Sequence, residues 1–130
     1  MNRNGPITLL LRFEGLALAL VCVWLYASIH ESWWLFALLI IAPDLSIAGY
    51  LAGPRIGALI YNIVHTWVAP AVLFAVGWWG NAPFLLPVAF ALGAHIGFDR
   101  ALGYGLKLPT GFKDTHLGRI GRAGERGTST

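Results

Sequence analysis

Asp44, His65, His95 and Asp99 lie inside stretches that are otherwise apolar. Imidazole nitrogens and carboxylate oxygens are the ligands that hold Zn²⁺, Mn²⁺ or Fe²⁺. His95 and Asp99 are spaced i, i+4, so a helix stacks them on one face. Glu14, in the first apolar run, adds a carboxylate that serves as a further ligand or as a general base towards metal-bound water. Asn62, Arg100, Tyr104 and Lys107 offer hydrogen bonds and positive charge to a phosphate or carboxylate group on a substrate. Ionisable groups at membrane depth are costly, so each implies a site and a partner.

Every one of these residues also has a structural role open to it. His65, His95 and Asn62 can bond across helices. Glu14 can pair with Arg12 or Arg100 and snorkel towards the surface. Asp44 follows Pro43 and can cap a helix segment. Asp99 and Arg100 can form a buried ion pair. His116, beside Lys113 and Asp114, reads as a solvated surface group. Cys22 reads as a packing residue, and a single cysteine excludes a disulfide within the chain.

The elements that position these groups follow from composition. Of 130 residues, 57% are hydrophobic and only 12% charged, and mean hydropathy is +0.66. That balance belongs to a polytopic membrane protein and not to a small soluble domain. Four runs reach the length of about 20 apolar residues that a span needs: 7–29, 33–51, 56–79 and 82–106. The first is too long for a signal-peptide core and lacks a cleavage site. The short connections require antiparallel neighbours. The expected fold is therefore all-α, a four-helix transmembrane bundle running up-down-up-down over 1–108, with a polar tail over 109–130. The end of that tail, 123–130, has a composition that favours disorder.

Arg3, Arg12, Arg55, Lys107, Lys113, Arg119, Arg122 and Arg126 fall on one side if both termini share it. By the positive-inside rule that side is the cytoplasm. Trp33-Trp34 and Trp78-Trp79 border the opposite turns, where an aromatic belt lies. At about 1.5 Å per residue, Glu14, Asp44, Asn62, His65, His95 and Asp99 all fall roughly 10–16 Å from the cytoplasmic boundary. Every helix contributes to one polar layer. Pro43 and Pro70 remove backbone donors beside it, which in an α-helix frees the carbonyls of Leu39 and Thr66.

Gly103-Tyr104-Gly105 has the residues of a potassium-filter triplet, but it ends a helix where a filter needs an extended carbonyl ladder. No basic face or module for nucleic acid is present.

The runs Ser32-Trp33-Trp34-Leu35-Phe36, Ala42-Pro43-Asp44-Leu45-Ser46, Gly49-Tyr50-Leu51-Ala52-Gly53-Pro54-Arg55 and Tyr61-Asn62-Ile63-Val64-His65 form a specific set. The segment 94–107 and the tail run Thr110-Gly111-Phe112-Lys113-Asp114-Thr115-His116-Leu117-Gly118 complete it. With these motifs the chain resembles, over nearly its whole length, the small bacterial integral-membrane family called domain of unknown function 4260. The resemblance implies a bacterial inner-membrane location and no particular reaction, and it draws notice to the tail around His116.

The residues themselves leave several functions open. One is a metal-dependent membrane hydrolase, with Asp44, His65, His95 and Asp99 as ligands, Glu14 as the catalytic group and an amphiphilic substrate entering from the cytoplasmic leaflet. A second is an oligomeric transporter or channel that uses Glu14, Asp44 and Asp99 as a proton or cation relay. A third is haem held between His65 and His95, and a fourth is a structural membrane protein. The expected partners are membrane lipids and further copies of the chain.

Overall fold

A computed structural model describes residues 5–109, 113–118 and 120. Arg3, Arg119, Arg122, Arg126, the run 110–112 and the stretch 123–130 lie outside the described residues. The described chain is helical, with five α-helices, one 3-10 helix and a single isolated bridge between Lys107 and Thr115.

Helix α1 (Pro6–Ser28) opens on a proline in its first turn, where a missing N–H costs nothing. Helix α2 (Trp33–Ile41) is capped by Ser32, whose hydroxyl accepts from the Trp34 N–H. The expected helix over 33–51 does not continue as one α-helix. At Pro43 the chain tightens into a 3-10 helix, Ala42–Ala52, because proline cannot donate to the turn before it. Gly53, at φ 110°, turns the chain into α3 (Pro54–His65).

The expected helix over 56–79 is also broken. Thr66 is extended, and α3 meets α4 (Val68–Trp79) at a bend of 43°. Pro70 accounts for the break, since its ring would collide with the carbonyl of Thr66 in a continuous helix. The last helix, α5 (Leu85–Leu102), is shorter than the expected 82–106. It ends at Gly103, left-handed at φ 91°, with the Gly103 and Tyr104 N–H groups returning to Arg100 O and Asp99 O. That is a glycine C-cap satisfying the last carbonyls.

Helix α5 is the axis of the molecule: α1, α2 and α4 all pack on it, while α3 packs on the 3-10 helix. The α1–α5 contact is close because small residues face each other. A Cβ at Gly15 would strike Arg100 Cβ and the Gly97 carbonyl, and one at Gly97 would strike Gly15 O and Ala19. Small residues spaced in this way let helix backbones approach in lipid.

The polarity of the fold is inverted relative to a soluble protein. Leu51 (93% exposed), Trp34 (83%) and Trp79 (76%) face outwards, while His65, His95, Arg100 and Lys107 are buried. So much exposed apolar surface would drive association in water and costs nothing in hydrocarbon. Among the described residues three helical stretches, α1, α2 together with the 3-10 helix, and α5, are long and apolar enough to cross a membrane, or four if the bent α3–α4 pair is one span.

Candidate metal centre

Three broken or capped elements meet at one point. The 3-10 helix brings Asp44, the end of α3 brings His65, and α5 brings His95 and Asp99. Their donor atoms all lie within 4.8 Å of one another, and the group could hold a metal ion. His65 Nε2 and His95 Nε2 are 3.1 Å apart. Asp44 Oδ1 stands 3.2 Å from His95 Nε2 and 3.6 Å from His65 Nε2. Asp99 Oδ2 stands 3.1 Å and 3.8 Å from the same two atoms. A tetrahedral site with bonds of about 2.0–2.2 Å needs its ligand atoms about 3.3–3.6 Å apart. The five measured separations bracket that range.

The backbone decides where the imidazole protons sit. His65 Nδ1 is 2.9 Å from the Tyr61 carbonyl, and His95 Nδ1 is 2.6 Å from the Ile40 carbonyl. A carbonyl only accepts, so each Nδ1 carries the hydrogen and donates it. In the neutral rings both Nε2 atoms are then bare lone pairs. Two such atoms 3.1 Å apart cannot bond each other, and the aspartate oxygens beside them are acceptors as well. Four acceptors thus converge on one point, in a group that could hold a metal ion. Histidine ligands of metals characteristically donate their other N–H to a carbonyl or carboxylate in this way.

The free carbonyl at Ile40 has a local cause. In a 3-10 turn the N–H that reaches residue 40 belongs to residue 43, which is proline and has none. Pro43 likewise gives nothing to the Leu39 carbonyl, the one expected to be freed, and the Ala42 N–H goes to Leu38 O; the tighter turn adds a second vacancy one residue on, at the atom that fixes His95. Something similar happens at the α3–α4 break. The Ala69 N–H bonds Thr66 O at 3.1 Å, so the Thr66 carbonyl is not left free as expected. The His65 carbonyl instead accepts from Arg100 Nη2 at 3.0 Å.

Around the cluster, Tyr61 lies flat on His65, with ring centroids 3.7 Å apart and planes 7° from parallel. Lys107 Nζ sits over the Tyr61 ring, 4.9 Å from its centre. Burial holds the Lys107 ammonium below its ordinary pKa, and the charge of Asp99 partly offsets this. His65 is fully buried and the Asp99 side chain is 17% exposed, whereas the Asp44 side chain is 53% exposed. The cluster therefore has one open edge, at Asp44.

The remaining sequence candidates are distributed around this centre. Asn62 bonds the backbone of Lys107 twice, donating to its carbonyl at 2.7 Å and accepting from its N–H at 2.6 Å. It anchors the segment after α5 to α3. Arg100 spans from His65 O to Tyr104 O, and the Tyr104 side chain is exposed. Glu14 is not part of the cluster; it lines a separate cavity with Arg100 and His116. The Nδ1 of His116 accepts from the Leu106 N–H at 2.8 Å, so the ring holds a turn as well as facing solvent. Sequence reasoning passed over Tyr61 and the Ile40 carbonyl. Tyr61 stands i−4 from His65, a spacing that places the two rings one above the other.

A haem between His65 and His95 would need their Nε2 atoms on opposite faces of a macrocycle, about two bonds of about 2.0 Å apart in line. At 3.1 Å, with two carboxylates alongside, the two Nε2 atoms do not have that spacing.

The family model for a domain of unknown function, DUF4260, matches residues 8–120, and the chain belongs to that family. No curated protein and no solved structure matches the chain.

Proposed function

We propose that the chain is a membrane-embedded metalloprotein that binds one divalent ion through His65, His95 and Asp99, with Asp44 beside it at the open edge, and uses it for hydrolysis. The observation that carries this reading is the fixed tautomer of both histidines, which turns two bare Nε2 atoms and two carboxylates towards one point. This donor set suits Zn²⁺, Mn²⁺ or Fe²⁺. A bound ion of this kind supplies Lewis acidity that brings the ionisation of water close to neutral pH.

The chain's own residues divide the work by burial. His65, His95 and Asp99 are the enclosed donors that grip. Asp44, at the open edge, accepts the proton that water loses as it adds to an ester or phosphoester, and returns it to the departing alkoxide. Tyr61 and the Tyr61 and Ile40 carbonyls hold the two imidazoles in place. The apolar exterior favours a lipid-like substrate reaching Asp44 from within the bilayer. The one-sided Lys and Arg distribution supports a bacterial inner-membrane topology with both termini cytoplasmic.

The experiment is elemental analysis of protein purified in detergent without chelators, followed by hydrolysis of p-nitrophenyl butyrate and p-nitrophenyl phosphate in mixed micelles. The expected result is one ion per chain, lost in His95→Ala, and hydrolysis that chelation abolishes and Zn²⁺ or Mn²⁺ restores. Bound metal without metal-dependent hydrolysis would remove the enzyme from the reading and keep the centre. Metal-free protein that carries protons into liposomes would replace both with a cation relay.

A further inference from the structure

A second polar site lies apart from the cluster. A cavity of about 250 Å³ opens between α1, the α3–α4 break and the segment after α5. Its polar wall is Glu14, Thr66, Arg100 and His116, and its apolar wall includes Leu18 and Trp67. Glu14 is the one acidic residue of α1, set among leucines and a phenylalanine. It makes no hydrogen bond or ion pair with any described residue. A carboxylate in a membrane helix with no partner among the described residues is expensive and marks a binding function by default.

The donors are arranged opposite in character to Glu14. Arg100 spends one N–H on His65 O and one on Tyr104 O, which leaves three of its five donors. His116 accepts at Nδ1, so its neutral ring carries the hydrogen at Nε2 and offers a donor. One carboxylate thus faces the same cavity as a guanidinium, an imidazole N–H and a hydroxyl. A ligand that satisfies all of them carries a cationic donor and an anionic acceptor together.

The size of the cavity selects the part of the ligand that enters. At about 250 Å³ it is smaller than the roughly 300–1,000 Å³ of drug-sized sites. It takes a headgroup and leaves acyl chains outside. The outer surface of α1 beside it is apolar, with Phe13 68% and Leu10 58% exposed. We propose that this cavity binds the headgroup of a zwitterionic aminophospholipid, its ammonium on Glu14 and its phosphate on Arg100 and His116, with the acyl chains lying along α1. The proposal does not depend on a metal at the other site.

Purified protein in detergent is titrated with short-chain phosphatidylethanolamine, phosphatidylcholine, phosphatidylglycerol and free phosphoethanolamine, with the melting temperature as readout. Phosphatidylethanolamine should stabilise most, because its primary ammonium donates hydrogen bonds that a quaternary one cannot. Glu14→Gln should weaken it about tenfold or more, the value of a charge-assisted hydrogen bond, while keeping monodisperse elution and the wild-type metal content. Equal stabilisation by phosphatidylglycerol or phosphatidylcholine, or an unchanged preference in Glu14→Gln, overturns the site. Free phosphoethanolamine binding as tightly as the lipid overturns the lipid assignment and makes the ligand a soluble zwitterion. The comparison of lipids on the wild-type protein decides the matter even if Glu14→Gln does not fold.

Discussion

Pro43→Ala separates the stability of the helix from the quality of the metal centre, because it moves them in opposite directions. Alanine restores an N–H at residue 43 and removes the bar to continuing α2, which proline disfavours by about 3 kcal/mol relative to alanine in a helix interior. The Ile40 carbonyl, which His95 Nδ1 now reaches at 2.6 Å, then gains a backbone competitor: the new N–H of residue 43 in a 3-10 turn, or that of Asp44 in a continued α-helix. Loss of such an orienting partner lowers metal affinity by about 10–100-fold. At free Zn²⁺ of 100 times the wild-type Kd, binding stabilises the folded protein by about 2.7 kcal/mol. A Kd weakened tenfold leaves about 1.4 kcal/mol at the same concentration, and one weakened 100-fold leaves about 0.4 kcal/mol. The assay is a pair of melting curves, with and without Zn²⁺, and a competition titration against a chelating indicator. Metal-free Pro43→Ala should melt no lower than wild type, yet gain little from Zn²⁺. An unchanged affinity for Zn²⁺ would refute the role given to the Ile40 carbonyl. A metal-free variant that melts well below wild type would refute the claim that proline serves the site at the helix's expense.

Asp44→Asn should keep bound metal and lose hydrolysis by about 10²–10⁴-fold, the range of a general base, measured as p-nitrophenyl ester turnover beside elemental analysis. His116 gives a pH signature. Partial burial and the charge of Arg100 lower its pKa below 6.5. The unfolded chain then binds the proton more readily, so the contribution is complete above about pH 6.5 and is lost as pH falls through the folded value. The melting-temperature gap between wild type and His116→Ala should therefore narrow from pH 8 to pH 5; a gap that widens would contradict the bond. Reporter fusions at Asn81 should read periplasmic and fusions at Thr130 cytoplasmic, and the reverse at Asn81 would invert the topology.

The parts of the fold that sequence revealed are those set by apolar run length. The start of α1 at Pro6 and of α3 at Pro54 follows from where a proline is harmless. The 3-10 helix was not legible, because Pro43 announces a fault without saying whether the chain kinks or tightens. The same uncertainty hid the second freed carbonyl, at Ile40, beside the expected one at Leu39. The α5 end was overrun because 103–106 reads as apolar and small, whereas Gly103 takes a left-handed turn. Gly15 and Ala19 against Gly97 form a small-residue contact whose spacing was visible in the sequence and was passed over for the charged residues nearby.

For the site, equal depth correctly grouped Asp44, His65, His95 and Asp99 as neighbours. Depth says nothing about azimuth, and this is why Glu14 shared the layer and yet faces another cavity. Nor can depth give the tautomers, which depend on the backbone carbonyls of Tyr61 and Ile40, the second of them released at Pro43.

X-ray absorption at the metal edge of the purified, metal-loaded protein examines the centre itself. Two imidazole nitrogens and one or two carboxylate oxygens at about 2.0–2.2 Å, with the imidazole multiple scattering removed stepwise in His65→Ala and His95→Ala, is the result expected. A spectrum without imidazole scattering, or one that both variants leave unchanged, would contradict a metal held by this cluster.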